Sequence, residues 1–320
     1  MTQTDDTVRR THHVFSRIIA QAEVTPAIPT AVVYPISEVA LRGTCEAAAA
    51  KVIVPILIGP AARITALAAS LGLDISGFEL VAAASDQAAA ETAVEMCRSG
   101  KARILMKGDL HSDIFMKAVT QDVTGLRTAR RISHVFIFDV PAYPRMLMIT
   151  DAAVNIAPTL MDKADIVQNA IDLAHVLGLA KPRVAILSAV ETVNPKILST
   201  IDAAALCKMA DRGQITGGVV DGPLAFDNAV SFRAAEIKHI DSPVAGRADI
   251  LVVPDIESGN MLAKQLEYLA NAEAAGIVLG ARVPIVLTSR ADGAKARLAS
   301  CAVAAMVAEA AAKALIAVVE

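Results

Sequence analysis

Residues 51–72, KVIVPILIGPAARITALAASLG, place a run of aliphatic residues directly before a segment whose apolar residues recur at helical spacing. The same order of a short apolar run and a longer alanine-rich segment recurs along the chain. Such alternation predicts βαβ units around a parallel sheet, because a helical crossover is what joins parallel strands, and we therefore predict the α/β class. The predicted strands are TAVVY, KVIVPILIG, RILMK, HVFIFDV, RMLMIT, RVAILSAV, ITGGVV, DILVVP and VPIVLTS. The predicted helical segments lie around 36–50, 60–72, 85–99, 159–178, 194–212, 257–274 and 291–318.

Two of the predicted strands are joined too closely for a helical crossover. Only PAYP separates HVFIFDV from RMLMIT, and so short a connection predicts an antiparallel hairpin. A chain of 320 residues also exceeds what one hydrophobic core usually supports. We predict two α/β lobes with a central cleft and with boundaries defined to about ten residues. The first lobe comprises 1–139 plus 290–320, and the second comprises 140–289 and is inserted in the first.

The composition restricts where the protein works and what it binds. Hydrophobic residues make up 54% of the chain, but no apolar run is long enough to span a bilayer, so we expect no membrane association. The N-terminal segment reads as an amphipathic helix without a signal peptide, which predicts a cytoplasmic protein. A net charge of −3 and 3% aromatic residues argue against nucleic acid as a partner. The surplus apolar surface favours a homodimer.

The cysteines and histidines show no metal-binding spacing. No CxxC pair and no HExxH motif occurs, so no metal site built by the protein is indicated. We expect the cysteines to be reduced and buried. They are Cys45, Cys97, Cys207 and Cys301.

Polar residues and glycines follow most of the predicted strands. In open α/β sheets, ligands bind beyond the carboxyl ends of the strands, so these residues are candidates for a site. Each also has a structural explanation: Asp255 and Ser289 suit helix N-caps, Gly222 before Pro223 suits a turn, and Lys107 suits a solvated strand end. The candidates are Lys107, Gly108, His111, Asp151, Asn155, Asp221, Gly222, Asp255, Gly259, Asn260, Ser289, Arg290 and Asp292.

Arg290 indicates the chemistry most directly. An arginine at a strand-to-helix turn places a bidentate guanidinium beside backbone N–H groups that already favour an anion, and this arrangement suits phosphate. The neighbouring Ser289 hydroxyl could donate to a carbonyl oxygen that gains charge in a transition state. GxSxG, GxGxxG and GxxxxGK[ST] are all missing from the sequence, so a hydrolase elbow, a Rossmann fingerprint and a P-loop are unsupported.

At these loops the sequence closely resembles the phosphate acetyltransferase and phosphate butyryltransferase family. The resemblance runs from about residue 103 to about 293 in the family's order. The matching segments are LMKGDLHSD, RTARRISHVFIFDVPAYPR, TDAAVNIAPTL, KADIVQNAIDLAH, ETVNPKILSTIDAAALCKMADRGQITGGVVDGPLAFDNAVS, SPVAGRADILVVPDIESGN and LANAEAAGIVLGARVPIVLTSRAD.

This resemblance implies a homodimer whose subunit has two α/β lobes, related in fold to the isocitrate and isopropylmalate dehydrogenases. The implied reaction converts acyl-CoA and inorganic phosphate to acyl phosphate and free coenzyme A, by direct transfer in a ternary complex. Coenzyme A is then a substrate in the cleft, and neither a metal nor a permanently bound cofactor is needed. The acyl group is acetyl or butyryl, and both remain open, as does the physiological direction.

The resemblance also implies roles for individual residues. Ser289 corresponds to the transition-state hydrogen-bond donor, and Arg290 to the residue that holds phosphate. Lys107 and its loop, with Gly108 and His111, form a second part of the anion site. Lys117 stands near a position where acetyltransferase relatives carry an arginine. Residues that line the cleft or contact coenzyme A are Asp151, Asn155, Asp221, Gly222, Asp227, Asp255, Gly259 and Asn260.

One position departs from the acetyltransferase pattern. The acetyltransferases carry an aspartate seven residues after the serine, thought to deprotonate the thiol of coenzyme A, and this chain has Ala296 there. Asp292 is the nearest carboxylate and is our candidate for the base, with a helix N-cap as the competing role. Two other functions stay open. One is an NAD(P)- and metal-dependent decarboxylating dehydrogenase of related fold, and the other is a non-catalytic acyl-CoA-binding module.

Overall fold

Two compact α/β units make up the chain in a computed structural model, which describes residues 13–288 and 293–319. The flanking unit comprises the described residues of 18–135, 176–178 and 275–319. The inserted unit comprises 13–17, 136–175 and 179–274. The sequence placed the lobe boundaries at 139 and 289, whereas the compact units change at 135 and 274. The division into lobes at 139 and 289 stays a prediction.

The flanking unit contains a mostly parallel sheet. Its strands follow the order β3-β2-β1-β4-β11-β10. The pairs β1·β2, β2·β3, β1·β4 and β4·β11 are parallel, whereas β10 pairs with β11 in the antiparallel direction. The strands are β1 (Ile28–Val33), β2 (Ile53–Gly59), β3 (Glu79–Ala82), β4 (Ile104–Lys107), β10 (Glu273–Leu279) and β11 (Ile285–Val286). The chain enters the inserted unit along β5 (Ser133–Asp139) and leaves it along β10.

Two helices of the flanking unit begin or end at the usual sequence signals. The Ser85 hydroxyl accepts a hydrogen bond from the N–H of Ala88 and caps α4, and Gly72 ends α3 in the left-handed conformation at φ 65°. The helices are α1 (Val14–Glu23), α2 (Glu38–Ala49), α3 (Ala61–Leu71), α4 (Asp86–Arg98), α5 (Ser112–Val119) and α11 (Ala294–Val319).

The inserted unit has a second run of strands, in the order β5-β6-β9-β7-β8. The pairs β6·β9, β7·β9 and β7·β8 are parallel, and their side chains form one hydrophobic core with Phe138, Leu147, Ile149 and Leu251 near its centre. The further strands are β6 (Leu147–Thr150), β7 (Arg183–Leu187), β8 (Val219–Leu224) and β9 (Ile250–Val252). The helices are α6 (Leu160–Val176), α7 (Leu198–Asp211), α8 (Phe226–Val230), α9 (Phe232–Ile237) and α10 (Ile256–Leu269).

The α/β class predicted from the sequence is confirmed, with several differences in detail. The strands β3 and β10 and the helices α5, α8 and α9 were not predicted, and the helix predicted over 257–274 ends at Leu269. The segment EAAGIVL of β10 carries two alanines and a glycine, which have low β propensity and therefore masked the strand. The strand predicted at 215–220 lies at 219–224 instead. In the described part of the chain, no helix is long and apolar enough to cross a membrane.

Candidate active site

Three parallel strands of the flanking unit end at one edge of its sheet. The register pairs Val33 of β1 with Lys107 of β4, and Val286 of β11 with Met106 of β4. Because the paired strands run in the same direction, Leu287 continues the register beside Lys107. The chain after β11 therefore leaves the sheet next to the end of β4. The residues that follow Thr288 in the sequence are Ser289 and Arg290.

The predicted catalytic residues Ser289, Arg290 and Asp292 lie outside the described residues. Thr288 directly precedes them, and Gly293 directly follows them. The roles predicted for these three residues stay predictions.

Lys107 is a buried cation at the carboxyl end of β4. Only 3% of its surface is exposed, and its Nζ lies 3.5 Å from the carbonyl oxygen of Gly108. An ammonium group out of water is stabilised only by acceptors or anions around it. From the sequence, Lys107 was either an anion ligand or a solvated charge at the end of a strand. Its burial excludes the solvated charge.

Gly108 is required by the close approach of β1. Its N–H donates to the carbonyl oxygen of Val33, and a Cβ at this position would lie 2.3 Å from that oxygen and 2.8 Å from the carbonyl oxygen of Tyr34. Real Cβ atoms do not approach backbone oxygens so closely. The glycine therefore has a structural reason to be there, whether or not phosphate contacts it.

His111 and Lys117 lie on α5, which follows the Lys107 loop. His111 is the exposed N-cap residue of α5, and its side chain makes no capping hydrogen bond. Lys117 is exposed in the last turn and lines a groove of about 350 Å³ together with Glu91 and Glu95 of α4. Two carboxylates disfavour an inorganic anion in that groove. The geometry thus gives no support to Lys117 as a phosphate ligand. The phosphate-binding roles of His111 and Lys117 both stay predictions.

In the inserted unit, Asp151 organises the loop that follows β6. Its carboxylate accepts hydrogen bonds from the N–H groups of Ala153 and Val154 at 2.9 and 3.0 Å. The second oxygen accepts from both the N–H and the side-chain amide of Asn155, at 3.2 and 2.6 Å. Asp151 and Asn155 are both buried. Their described contacts therefore shape the loop itself, as in an Asx turn.

The start of α10 packs against the same loop. Asp255 caps α10 by accepting from the N–H and the hydroxyl of Ser258, both at 2.8 Å. A Cβ on Gly259 would lie 3.0 Å from the Asp151 carbonyl oxygen, so glycine allows the helix to approach the loop. The Asn260 side chain donates to the Ala152 carbonyl oxygen at 3.2 Å. The structure therefore brings together all five of these residues, and the N-cap explanation of Asp255 is confirmed by its geometry.

The remaining predicted residues of the inserted unit lie around β8. Asp221 accepts a hydrogen bond from the Ser242 hydroxyl, and its other oxygen accepts from the N–H of Gly222. Asp227 lies at the start of α8 and pairs with Lys238 at 3.1 Å, and this hydrogen bond lowers the pKa of the Asp227 carboxyl group. Asp227 is exposed, so the ion pair is a surface one.

Two polar residues near the start of α11, Thr288 and Arg297, were not identified as candidates from the sequence. Arg297 is buried, and its Nη1 donates to the Thr288 hydroxyl at 2.6 Å. An arginine in an alanine-rich helix is usually solvated, so burial gave no local signal. Nothing in the neighbouring sequence pointed to it.

No group of three or more histidine, cysteine, aspartate or glutamate side chains lies in metal-binding proximity within the part of the chain that the structure describes. The cysteines are free thiols. Burial raises the pKa of Cys97, Cys207 and Cys301 to about 12, so these thiols stay protonated near neutral pH. They are therefore poor candidates for nucleophiles or metal ligands.

Comparisons with known proteins relate these strand ends to an enzyme family. The family described as Phosphate acetyl/butaryl transferase matches residues 87–305. A phosphate acetyltransferase from Rhizobium meliloti is 60% identical over 292 residues, covering 91% of this chain and 92% of the relative. A phosphate butyryltransferase from Clostridium acetobutylicum is 45% identical over 253 residues, covering 79% and 84%.

A solved structure agrees with these sequence matches. The crystal structure of a branched-chain phosphotransacylase from Enterococcus faecalis V583 superposes with a TM-score of 0.76 at 31% identity, covering 88% of this chain and 99% of that one. The family match spans most of the chain, from α4 to the buried half of α11, and includes the edge formed by β4 and β11. This chain belongs to the phosphate acetyl/butyryl transferase family.

Proposed function

We propose that this chain transfers a short acyl group between coenzyme A and inorganic phosphate, so that acyl-CoA and phosphate give acyl phosphate and free coenzyme A. The observation that carries the proposal is the register of β4 and β11, because it sets buried Lys107 beside the strand end that continues into Ser289 and Arg290. Buried Lys107 thus lies beside the strand after which the sequence carries a hydroxyl group and an arginine. That combination suits an anion and a developing oxyanion.

The proposed reaction is a direct displacement. A phosphate oxygen attacks the carbonyl carbon of the thioester, the carbonyl oxygen takes up negative charge, and the C–S bond breaks as the thiolate leaves. Arg290 and Lys107 hold the phosphate, and Ser289 donates to the carbonyl oxygen. Removing one such donor typically reduces transition-state stabilisation by about 2.7–4 kcal/mol.

In the reverse direction the thiol of coenzyme A must lose its proton. A free thiol has a pKa of about 8.5 and is mostly protonated at neutral pH, so a base accelerates the attack. We assign this role to Asp292, since Ala296 occupies the position of the aspartate in acetyltransferases. The competing role of Asp292 is a cap near the start of α11, and Asp292→Asn separates the two. Loss of a base reduces the rate of acyl-CoA formation most at low pH, whereas loss of a cap reduces stability at every pH.

The inserted unit is proposed to supply the wall of the acyl-CoA site. Asp151, Asn155, Asp255, Gly259 and Asn260 support this role indirectly, because their hydrogen bonds and close packing hold one loop against α10. We propose that they shape the pocket and leave direct contacts with coenzyme A to the backbone they position. Asp221, Gly222 and Asp227 are proposed to act in the same way around β8.

Several wider properties belong to the same proposal. Acyl-CoA and phosphate are the partners, coenzyme A is a substrate, and no metal or permanent cofactor takes part. The protein is proposed to work in the cytoplasm as a homodimer, with two lobes close to the two compact units. Acetyl and butyryl groups are both proposed substrates, since relatives named for each are 60% and 45% identical to this chain. A pocket distinguishes acyl groups by only about 1–3 kcal/mol per methylene group.

The experiment is thiol release by purified protein from acetyl-, propionyl- and butyryl-CoA, each with and without phosphate. We expect thiol only when acyl-CoA and phosphate are both supplied, and a large loss of turnover in Arg290→Ala with the fold retained. Wild-type turnover in Arg290→Ala would remove the arginine from the mechanism. A protein inactive with every short acyl-CoA, or one that reduces NAD(P) with a hydroxy acid and a divalent metal, would contradict the proposal. Tight acyl-CoA binding without turnover would instead favour the non-catalytic module.

A further inference from the structure

A buried guanidinium contacts the residue that directly precedes the proposed catalytic residues in the sequence. Arg297, in the first turn of α11, is 3% exposed, and Thr288 is 5% exposed. The Arg297 Nη1 donates to the Thr288 hydroxyl at 2.6 Å. Hydrogen bonds from a charged donor are shorter and stronger than neutral ones. Burial of a guanidinium is nevertheless unfavourable, so an apolar residue would serve simple packing better.

The neighbouring helix makes room for this side chain. A Cβ on Gly43 of α2 would lie 2.8 Å from the Cδ and 3.3 Å from the Cβ of Arg297. Glycine inside a helix is less favourable than alanine by about 1 kcal/mol. Two locally unfavourable choices, a buried cation and a helical glycine, therefore meet at one contact. Such coincident exceptions to local preference are expected where function requires them.

The first turns of α11 are held in place by further polar contacts. The Ser300 hydroxyl accepts from the N–H of Gly276 in β10 at 3.0 Å and donates to the Ala296 carbonyl oxygen at 2.8 Å. Cys301, on the same helix face, has its sulfur 3.7 Å from the sulfur of Met106 in β4. Arg297 therefore projects from a helix that is anchored to the sheet. Arg297 can therefore hold Thr288 in a fixed position.

We propose that Arg297 is a positioning residue of the acyltransferase site, which acts by holding Thr288 where the chain leaves β11. Thr288 is bonded directly to Ser289, and β11 is registered against β4 beside Lys107. Holding Thr288 thus fixes, relative to the buried lysine, the point at which the chain continues into Ser289. The inference rests on the proposed acyl transfer to phosphate. A displacement of reacting groups by about 1 Å can reduce the rate roughly a hundredfold, so a holding contact of this kind has a measurable effect.

The test compares variants on both sides of the hydrogen bond. Arg297→Met removes the donor and keeps an unbranched apolar stem, and Thr288→Val removes the acceptor with little change in shape. We expect each to lower kcat for thiol release about tenfold or more. The double variant should lose less than the sum of the two single losses, because each single change already breaks the hydrogen bond between Arg297 and Thr288. Thr288→Ser, which keeps the hydroxyl group, should restore most of the wild-type kcat.

Arg103→Met is the matched control. Arg103 donates to the Ala308 carbonyl oxygen at 2.7 Å and so holds the other half of the same helix. We expect this variant to lose thermal stability while its kcat stays within about twofold of wild type, because the contact lies far along α11 from Thr288. Arg297→Met that loses stability but keeps wild-type kcat would show a merely structural arginine and overturn the inference. Additive losses in the double variant would also overturn it.

The outcomes separate this inference from the proposed function. If wild type releases thiol and Arg290→Ala does not, while Arg297→Met and Thr288→Val both turn over like wild type, only the role of Arg297 fails. If wild type releases no thiol from any short acyl-CoA with phosphate, the proposed function fails, and the positioning role fails with it.

Discussion

Gly43 and Arg297 form a paired exception to local preference, because the arginine side chain occupies the space that a Cβ on the glycine would fill. A Cβ on Gly43 would lie 2.8 Å from Arg297 Cδ. Each residue is unusual alone, since one weakens a helix and the other buries a charge. Together they allow a guanidinium to reach Thr288 from α11.

Gly43→Ala should therefore displace the Arg297 side chain by direct contact. Better helix propensity favours the variant by about 1 kcal/mol, whereas overpacking against Arg297 opposes it by about 1–3 kcal/mol. We expect a net loss of stability together with a lower kcat, measured by thermal unfolding and thiol release. In Gly43→Ala combined with Arg297→Ala, the stability loss caused by Gly43→Ala should shrink, because the Cγ and Cδ atoms that crowd the added methyl group are gone. Equal stability loss in both backgrounds would contradict the contact.

Lys107→Met should raise the KM for phosphate about tenfold or more while the KM for acyl-CoA changes little, because a charge contact to an anion is lost. Thermal stability should not fall much, since a buried ammonium is replaced by an apolar chain of similar length. Lys101→Met is the control: Lys101 is half exposed and pairs with Glu79 at 2.6 Å in the same unit. An unchanged phosphate KM in Lys107→Met would remove the lysine from the anion site.

Asp151→Ala should be more destabilising than Asp255→Ala. Asp151 is buried and accepts four hydrogen bonds within its loop, and the loss of such a network is expected to lower the free energy of unfolding by about 3 kcal/mol. Asp255 is a helix cap, whose removal typically lowers it by about 1 kcal/mol. Urea denaturation of both variants measures the difference. Equal losses would mean that the loop after β6 is less dependent on its aspartate than the geometry indicates.

Thiols with raised pKa values should make the protein less stable in alkali. Burial raises the pKa of Cys207 from 9.0 to about 12, with the carboxylates of Asp221 and Asp211 adding to the shift. The folded state then keeps a proton that the unfolded chain releases above pH 9. The stabilising contribution is complete below that pH and falls as pH rises from 9 towards 12, by at most about 1.4 kcal/mol per pH unit.

Cys207→Ala isolates this effect. We expect the difference in unfolding free energy between pH 8 and pH 10.5 to be smaller in the variant than in wild type, as measured in urea. Alkylation of Cys207 in the folded protein should likewise be much slower at pH 8 than alkylation of the unfolded chain. Equal alkylation rates in the two states would show an accessible, ordinary thiol.

Much of the fold could be predicted because its elements have strong local patterns. The segment KVIVPILIG is a strand, and the segment after it is a helix, since apolar periodicity distinguishes the two. The strand EAAGIVL was missed because alanine and glycine dominate its first half. It forms a strand because of its place in the sheet, next to β11. The antiparallel pairing of β10 with β11 had no local signal either.

The candidate site divides in the same way. Lys107 was found because functional residues gather at the carboxyl ends of parallel strands. Asp151 and Asp255 were found by the same rule, but their described hydrogen bonds organise a loop and a helix start. Arg297 was missed, because helical arginines are usually solvated and nothing nearby in the sequence indicates burial.

By itself, the sequence determined the α/β class, the residue types at the ends of the strands and the resemblance to the acyltransferase family. These follow from local periodicity and from motifs that are contiguous along the chain. Only the tertiary structure decided that β4 and β11 are neighbours, that Lys107 is buried beside the exit of β11, and that Arg297 passes over Gly43 to reach Thr288. The physical reason is that burial and strand order arise from contacts between segments far apart in the chain, on which a local pattern carries no information.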